Sequence, residues 1–445
     1  MAMDLQESLY AEHLEESSML YEQWHGLVSR QWGAWRRIID FERRLEAHLD
    51  ALVIGGYQAL ELCREKARQG DSGELYAAAR VLLRHGLHGD VCHLVDGVDS
   101  SDSFRIQALS DALCVDLEAK DEEECFQLLL KNGPVDASRA RVASRLAGYR
   151  RCGGWADELF RLLGSRSLDA DSEASVLNAL VPLKSSRHLL NTDWYGQSGE
   201  GLCRTSAVLI RARAGQAIDD EVLLQVPVCC GLCGDKQAFG LLRTMPVADD
   251  VLFAMGLLGD VTAVPFLIRA LDHGDQAEAA ALSLYVLTGA PLYETVFIPE
   301  AVDEDLLFDA EKEKLTRGEA LWPPGKEPGE TVTRLARDGG RWSSWWQDHA
   351  DRFDPARRYR NGRLCTPNCL IENLGSESVP ATVREAAYEE LAIRYTVDFS
   401  FDRRMPVEKQ VERIKKYEVW DESASGQFEP GAWYFGGHVM ESCNA

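Results

Sequence analysis

Three clusters in the sequence hold residue types that bind metal or do thiol chemistry. His85, His88, Asp90, Cys92 and His93 crowd into nine residues, and imidazole, thiolate and carboxylate are the usual ligands of zinc. Cys229, Cys230 and Cys233 include a C-x-x-C, and Cys365 and Cys369 add a C-x-x-x-C. A four-thiolate zinc site would need both halves to meet in space. A plainer reading outweighs each cluster. His88 and Cys233 occupy the variable position of a recurring five-residue break, and Asp90 has a capping role in the same break. Cys229 and Cys230 lie on the helical pattern before it. The histidines therefore read as incidental and the thiols as core, and no metal or cofactor is expected.

Catalytic signatures are also missing. No H-E-x-x-H, Walker loop or strand-linked G-x-G-x-x-G occurs. Gly196-Gln197-Ser198-Gly199 lacks the second spacer of a nucleophile elbow and follows no buried strand, so it reads as a loop. No residue is assigned as catalytic, and the chain reads as a non-enzyme. The aromatic cluster Trp342, Trp345, Trp346 and Phe353 could form a binding platform, but core anchoring of a helix is the commoner use of such a stripe. Around it, residues 331–363 carry eight Arg and four Asp, which read as a solvated face or an internal Arg–carboxylate network.

The strongest surface signal is acidic. Residues 90–125 hold eleven Asp and Glu against Arg105 and Lys120. Asp116, Glu118, Asp121, Glu122, Glu123 and Glu124 are the candidate partner-binding residues. A charge run is by default a solvated face; the functional reading is an electrostatic decoy for a basic surface. As a run exposed to solvent, it should tolerate charge reversal with little loss of stability. The whole chain of 445 residues has a formal net charge of −24, a field that repels phosphate and disfavours direct binding of nucleic acid. No apolar run approaches the ~20 residues of a membrane span. Asp4, Glu7, Glu12, Glu15 and Glu16 stand where a secretory signal would be basic and then apolar. Scattered cysteines in apolar slots suit reduced thiols. A cytoplasmic protein is expected.

The elements that must carry these residues are helices. Phe41, Leu45, Leu49 and Leu52 form one stripe at helical spacing, and similar stretches recur up to residue 287. Strand-like alternation is confined to weak candidates near 291–299 and 431–439. One break recurs as Gly-Leu-x-Gly-Asp, at 86–90, 231–235 and 256–260. Its second Gly can close a helix in the left-handed conformation, and its Asp can cap the next helix. Repetition of such breaks is the sign of an α-solenoid. The predicted architecture is all-α. A helical N-terminal cap (1–46) precedes a solenoid of helical hairpins (47–290). A connecting segment over the surface (291–340) leads to a helical C-terminal region (341–445) ending in a mobile tail.

The run Gly259-Asp260-x-x-Ala263-Val264-Pro265-x-Leu267-Ile268 resembles the HEAT-like repeat of phycobilin lyases. More specific are Ala11-Glu-His-Leu-Glu15-Glu16, Glu46-Ala-His48-Leu49-Asp50-Ala-Leu52, Trp342-x-x-Trp345-Trp346, Arg352-Phe353 and Arg358-Tyr359-Arg360-x-Gly362. Together they resemble a bacterial HEAT-like-repeat family often encoded in type VI secretion neighbourhoods, over most of the chain and least between 90 and 220 and after Asp421. The resemblance implies a cytoplasmic immunity protein whose partner is a cognate secreted toxin effector, a nuclease among the candidates. Alternatives are an adaptor or effector-loading factor that binds other components of the secretion apparatus, or a lyase-type enzyme on the same scaffold.

Overall fold

The computed structural model describes residues 2–131, 134–164, 168–183, 201–300, 307–323, 326–424 and 426–440. The fold is all-α, with three two-stranded ribbons as its sheet structure among the described residues. The helices through residue 288 are α1 (Ala2–Ser29), α2 (Ile39–Ile54), α3 (Gly56–Gln69), α4 (Ser72–Arg84), α5 (His88–Val95), α6 (Ser103–Asp116), α7 (Glu122–Leu130), α8 (Ala137–Arg150), α9 (Ala156–Gly164), α10 (Ala170–Leu180), α11 (Gly201–Arg213), α12 (Asp220–Leu223), α13 (Pro227–Cys233), α14 (Ala238–Leu242), α15 (Asp249–Leu258), α16 (Val264–Ala270) and α17 (Ala277–Thr288).

These helices pair as successive hairpins. Helices α4, α6, α8, α10, α11, α13, α15 and α17 stack side by side in one continuous inner row. Helices α3, α5, α7, α9, α14 and α16 pack outside it. The predicted stripe is the buried one: Leu45, Leu49 and Leu52 are buried and Phe41 packs at their edge. The row begins earlier than residue 47. α1 lies against both α2 and α4, and Tyr21 stacks on Tyr76 with centroids 3.9 Å apart. The expected boundary at 46 falls inside α2. Residues 30–34, between α1 and the turn that leads into α2, are not helical.

The three Gly-Leu-x-Gly-Asp breaks fold differently. At 256–260 the expected geometry holds: Gly259 is left-handed (φ 81°), and the Asp260 carboxylate accepts from Thr262 N at 2.9 Å and Thr262 Oγ1 at 2.8 Å. At 231–235, Gly234 is extended, and only the Asp keeps its role, accepting from Gln237 N at 2.8 Å. At 86–90 the left-handed residue is the first glycine, Gly86 (φ 74°). Leu87 N donates to Leu82 O and Gly86 N to Leu83 O, a Schellman closure that ends α4 early. Gly89 and Asp90 therefore fall in the first turn of α5 rather than before it.

The first glycine of the later copies serves packing instead. A Cβ on Gly256 would stand 2.8 Å from Ser283 Cα, and one on Gly231 2.5 Å from Ala254 O. This is how α13, α15 and α17 approach so closely. Gly256→Ala should destabilise by about 1–3 kcal/mol, the usual cost of overpacking. Gly240→Ala, with nothing within 4 Å, should be neutral or stabilising because Ala is the better helix former. Urea unfolding midpoints for the pair check this; equal midpoints would contradict the packing account.

Beyond α17 the segment 291–340 is more than a connection. Strand β1 (Tyr293–Pro299) pairs antiparallel with β2 (Gly329–Leu335), Tyr293 opposite Leu335, and α18 (Asp309–Thr316) lies between them in sequence. The sequence pattern marked β1 but not β2, whose Thr-Val-Thr-Arg run carries few apolar residues. The 196–199 stretch lies outside the described residues.

The C-terminal region comprises α19 (Gly339–His349), α20 (Pro367–Gly375), α21 (Ala381–Arg394) and α22 (Val407–Ala424), with ribbons Tyr359–Arg360/Arg363–Leu364 and Tyr434–Phe435/His438–Val439. It packs on the inner row as part of the same two cores. The tail expected to be mobile is docked through residue 440. Trp433 and Tyr434 are buried, Gly431 N donates to Cys365 O, and Gly436 N donates to Ile393 O. Trp433 joins one hydrophobic core and Tyr434 the other. Trp342 is likewise buried and donates to Ala336 O at 2.7 Å, so the tryptophan cluster anchors α19 against α16.

Candidate functional site

The six acidic candidates are split by the fold. Asp116, at the end of α6, is drawn into an ion cluster: Arg80 Nε and Nη2 donate to it at 2.6 and 3.0 Å, and Arg84 Nε at 2.9 Å. Burial pushes its carboxyl up, but Arg80 and Arg84 outweigh burial and hold it below its ordinary value. Glu122 is half-buried beside Arg150 at 3.5 Å and accepts from the Cys152 thiol. Asp121 and Glu124 flank His88, with closest approaches of 3.6 and 3.3 Å. Glu123 accepts from Gln127 Nε2 one turn along, and Glu118 meets Lys120 at 2.8 Å. Glu118, Glu123 and Glu124 remain exposed; Asp121 and Glu122 are partly covered.

A local cause explains the run. Glu122, Glu123 and Glu124 form the first turn of α7, where carboxylates face the partial positive charge of the free N–H groups, each stabilising the helix by roughly 0.3–1 kcal/mol. Reversal of all three would therefore weaken α7, contrary to the expectation from exposure alone.

The fold also extends the acidic edge across three outer helices. Arg64 on α3 bridges Glu61 at 2.7 Å and Asp90 of α5 at 3.3 Å. His88 of α5 in turn contacts the start of α7. Exposed Glu61, Asp90, Asp96, Glu118, Glu123 and Glu124 thus share one edge. Only the last three belong to the candidate set; Asp90 and Asp96 lie in the same acidic stretch, and Glu61 lies outside it.

Sequence reasoning offered an internal Arg–carboxylate network around residues 331–363 but not its partners, which form an ionic seam between the inner row and the C-terminal region. Arg358 Nε donates to Leu258 O at 3.0 Å and Arg394 Nη2 to Gly231 O at 3.0 Å. Both guanidiniums thus sit at the carbonyl ends of row helices, where cations are favoured. Glu390 lies between Arg358, Arg360 and Arg394, and all four are fully buried. Further along, Arg213 reaches Glu389 at 2.7 Å and Asp398 at 3.2 Å, Arg145 reaches Asp402, and Arg404 reaches Asp111. The arginine excess in 331–363 was the legible signal; the carboxylates that answer it lie on other elements.

The thiol and histidine clusters do not converge. Among the described residues, no three His, Cys, Asp or Glu side chains come together as metal ligands. The Cys233 thiol donates to Cys229 O at 2.8 Å, while Cys365 Sγ accepts from Arg358. Burial pushes the Cys230 and Cys233 thiols up to about 12, away from the thiolate form that nucleophilic chemistry needs. Cys92 and Cys125 approach each other at 3.1 Å in the core. Among the described residues, no helix is long and apolar enough to cross a membrane. No protein-family model matches the chain, and no curated protein matches it significantly.

Proposed function

We propose that the protein is a non-enzymatic binding protein that sequesters a secreted toxin effector, in the manner of an immunity protein of a type VI secretion neighbourhood. The acidic edge of α3, α5 and α7 meets a basic surface on that toxin. The observation that supports this is the edge itself: exposed carboxylates from three hairpins line up on the outer helices, while the C-terminal region covers part of the inner row. Inhibition then needs no catalytic residue. A nuclease attracts its substrate with Lys and Arg, and an acidic edge competes for the same field. Such charges speed encounter, whereas apolar anchors set residence time.

The test is association kinetics with toxins encoded in neighbouring reading frames, at low and high salt. Glu118→Lys/Glu123→Lys avoids the half-buried Glu122 and should slow association about tenfold at low salt, within the range of electrostatic steering, and flatten the salt dependence. An unchanged rate and slope would remove this edge from the interface. The immunity reading itself falls if no such toxin binds and deletion leaves cells unharmed by attacking kin.

A further inference from the structure

We propose that the groove between α6, α8, α10 and residues 398–405 binds a compact oxyanion: the carboxylate or phosphate group of a small molecule. The groove encloses about 450 Å³, which suits a metabolite-sized ligand. Helix α8 supplies its polar wall. Arg141, Ser144, Arg145 and Tyr149, at successive spacings of three, one and four, line the cavity together. Gly148, beside them, lets α8 approach α10: a Cβ there would stand 3.0 Å from Ala179 Cα.

Among the described residues, four polar atoms on this wall have no hydrogen-bond partner: Ser144 Oγ, Tyr149 Oη, and Arg145 Nε and Nη2. Ser144 is fully buried and Tyr149 is 8% exposed. Buried donors are almost always partnered in folded proteins, so four on one helix face, lining one cavity, point to an acceptor-rich occupant. Small rotations of Arg145 and Tyr149 would bring these donors onto it.

The charges favour an anion. Arg151, Arg213 and Arg404 are each matched to a carboxylate, Asp398, Glu389 or Asp111. Asp402 takes one Arg145 nitrogen. Arg141 makes no ion pair among the described residues; its guanidinium donates to Ser100 O at 3.1 Å, and Asp169 acts on it at longer range. Guanidinium and hydroxyl donors bind carboxylate and phosphate oxygens alike, while Phe401 and Met405 across the groove give a carbon skeleton an apolar wall.

The experiment is thermal unfolding of the full chain titrated with inorganic phosphate or with citrate, against chloride at matched ionic strength. The wild type should gain about 2–5 °C, saturably at millimolar concentration, with at least one probe; which one separates a phosphate from a carboxylate site. Tyr149→Phe removes an unpartnered hydroxyl, so it should fold as well as wild type yet bind at least fivefold more weakly. Arg141→Gln, at a half-buried residue without an ion pair, should lose most of the shift. No saturable shift with either probe overturns the proposal. So does an equal shift in all three proteins, which would mark a general salt effect.

Discussion

Replacing Glu390 by glutamine should lower the unfolding free energy by about 3–5 kcal/mol, the usual loss when one partner of a buried ion cluster is removed. Glutamine keeps the shape and some hydrogen bonding but removes the one negative charge between Arg358, Arg360 and Arg394, all fully buried. Burial pushes the Glu390 carboxyl up, and the three arginines outweigh burial and hold it below its ordinary value. Burial also lowers Arg394, as does the charge of Arg358, to about 10; without Glu390 these repulsions have no counterweight. Natural domains hold only about 5–15 kcal/mol in reserve, so the variant should unfold at clearly lower urea. Arg360→Met should cost less, because Glu390 keeps two cations and one buried charge is removed with its desolvation cost. A Glu390→Gln midpoint within experimental error of wild type would show that the node is held by packing alone.

Acid should unfold the protein by neutralising the carboxylates of its buried ion clusters. Asp116, Glu390 and Asp402 are all held below their ordinary values: in each, burial raises the carboxyl and neighbouring arginines outweigh it. Folded-state values below unfolded ones mean that their stabilisation is fully present above the unfolded carboxylate range of about 4 and is lost as pH falls through the folded values. Glu42 and Glu385 act in the opposite sense, since burial raises them, and they blunt the decline. The net expectation is a urea midpoint that drops steeply below about pH 4. Because these pairs are buried, high salt should rescue little of it. A midpoint flat to pH 3, or one restored by salt, would place the acid-sensitive groups on the surface instead.

How much of this was legible varies residue by residue. Leu45, Leu49 and Leu52 announced their burial because helical periodicity is written within a dozen residues. Asp260 announced its cap because capping is a contact two residues long. Glu122 did not announce that it is half-buried: its partners Arg150 and Cys152 come from the next hairpin. The same limit hid β2, whose pairing with β1 spans about thirty residues and leaves little alternation in its own sequence.

By itself, then, the sequence determined what short-range geometry controls: the all-α class, the hairpin rhythm, the third break and the acidic character of the surface near α7. The tertiary structure alone decided which charges are spent internally and which face solvent. Asp116 and Glu123 belong to the same acidic stretch, yet one lies among two guanidiniums and the other stands exposed. Arg358 and Arg360 sit in a stretch whose sequence allows a solvated face or an internal network, and both are buried against Glu390 thirty residues on. The reason is that burial of a charge depends on whether an opposite charge arrives at the same place, and that is fixed by how the C-terminal region closes over the row rather than by any pattern along the chain.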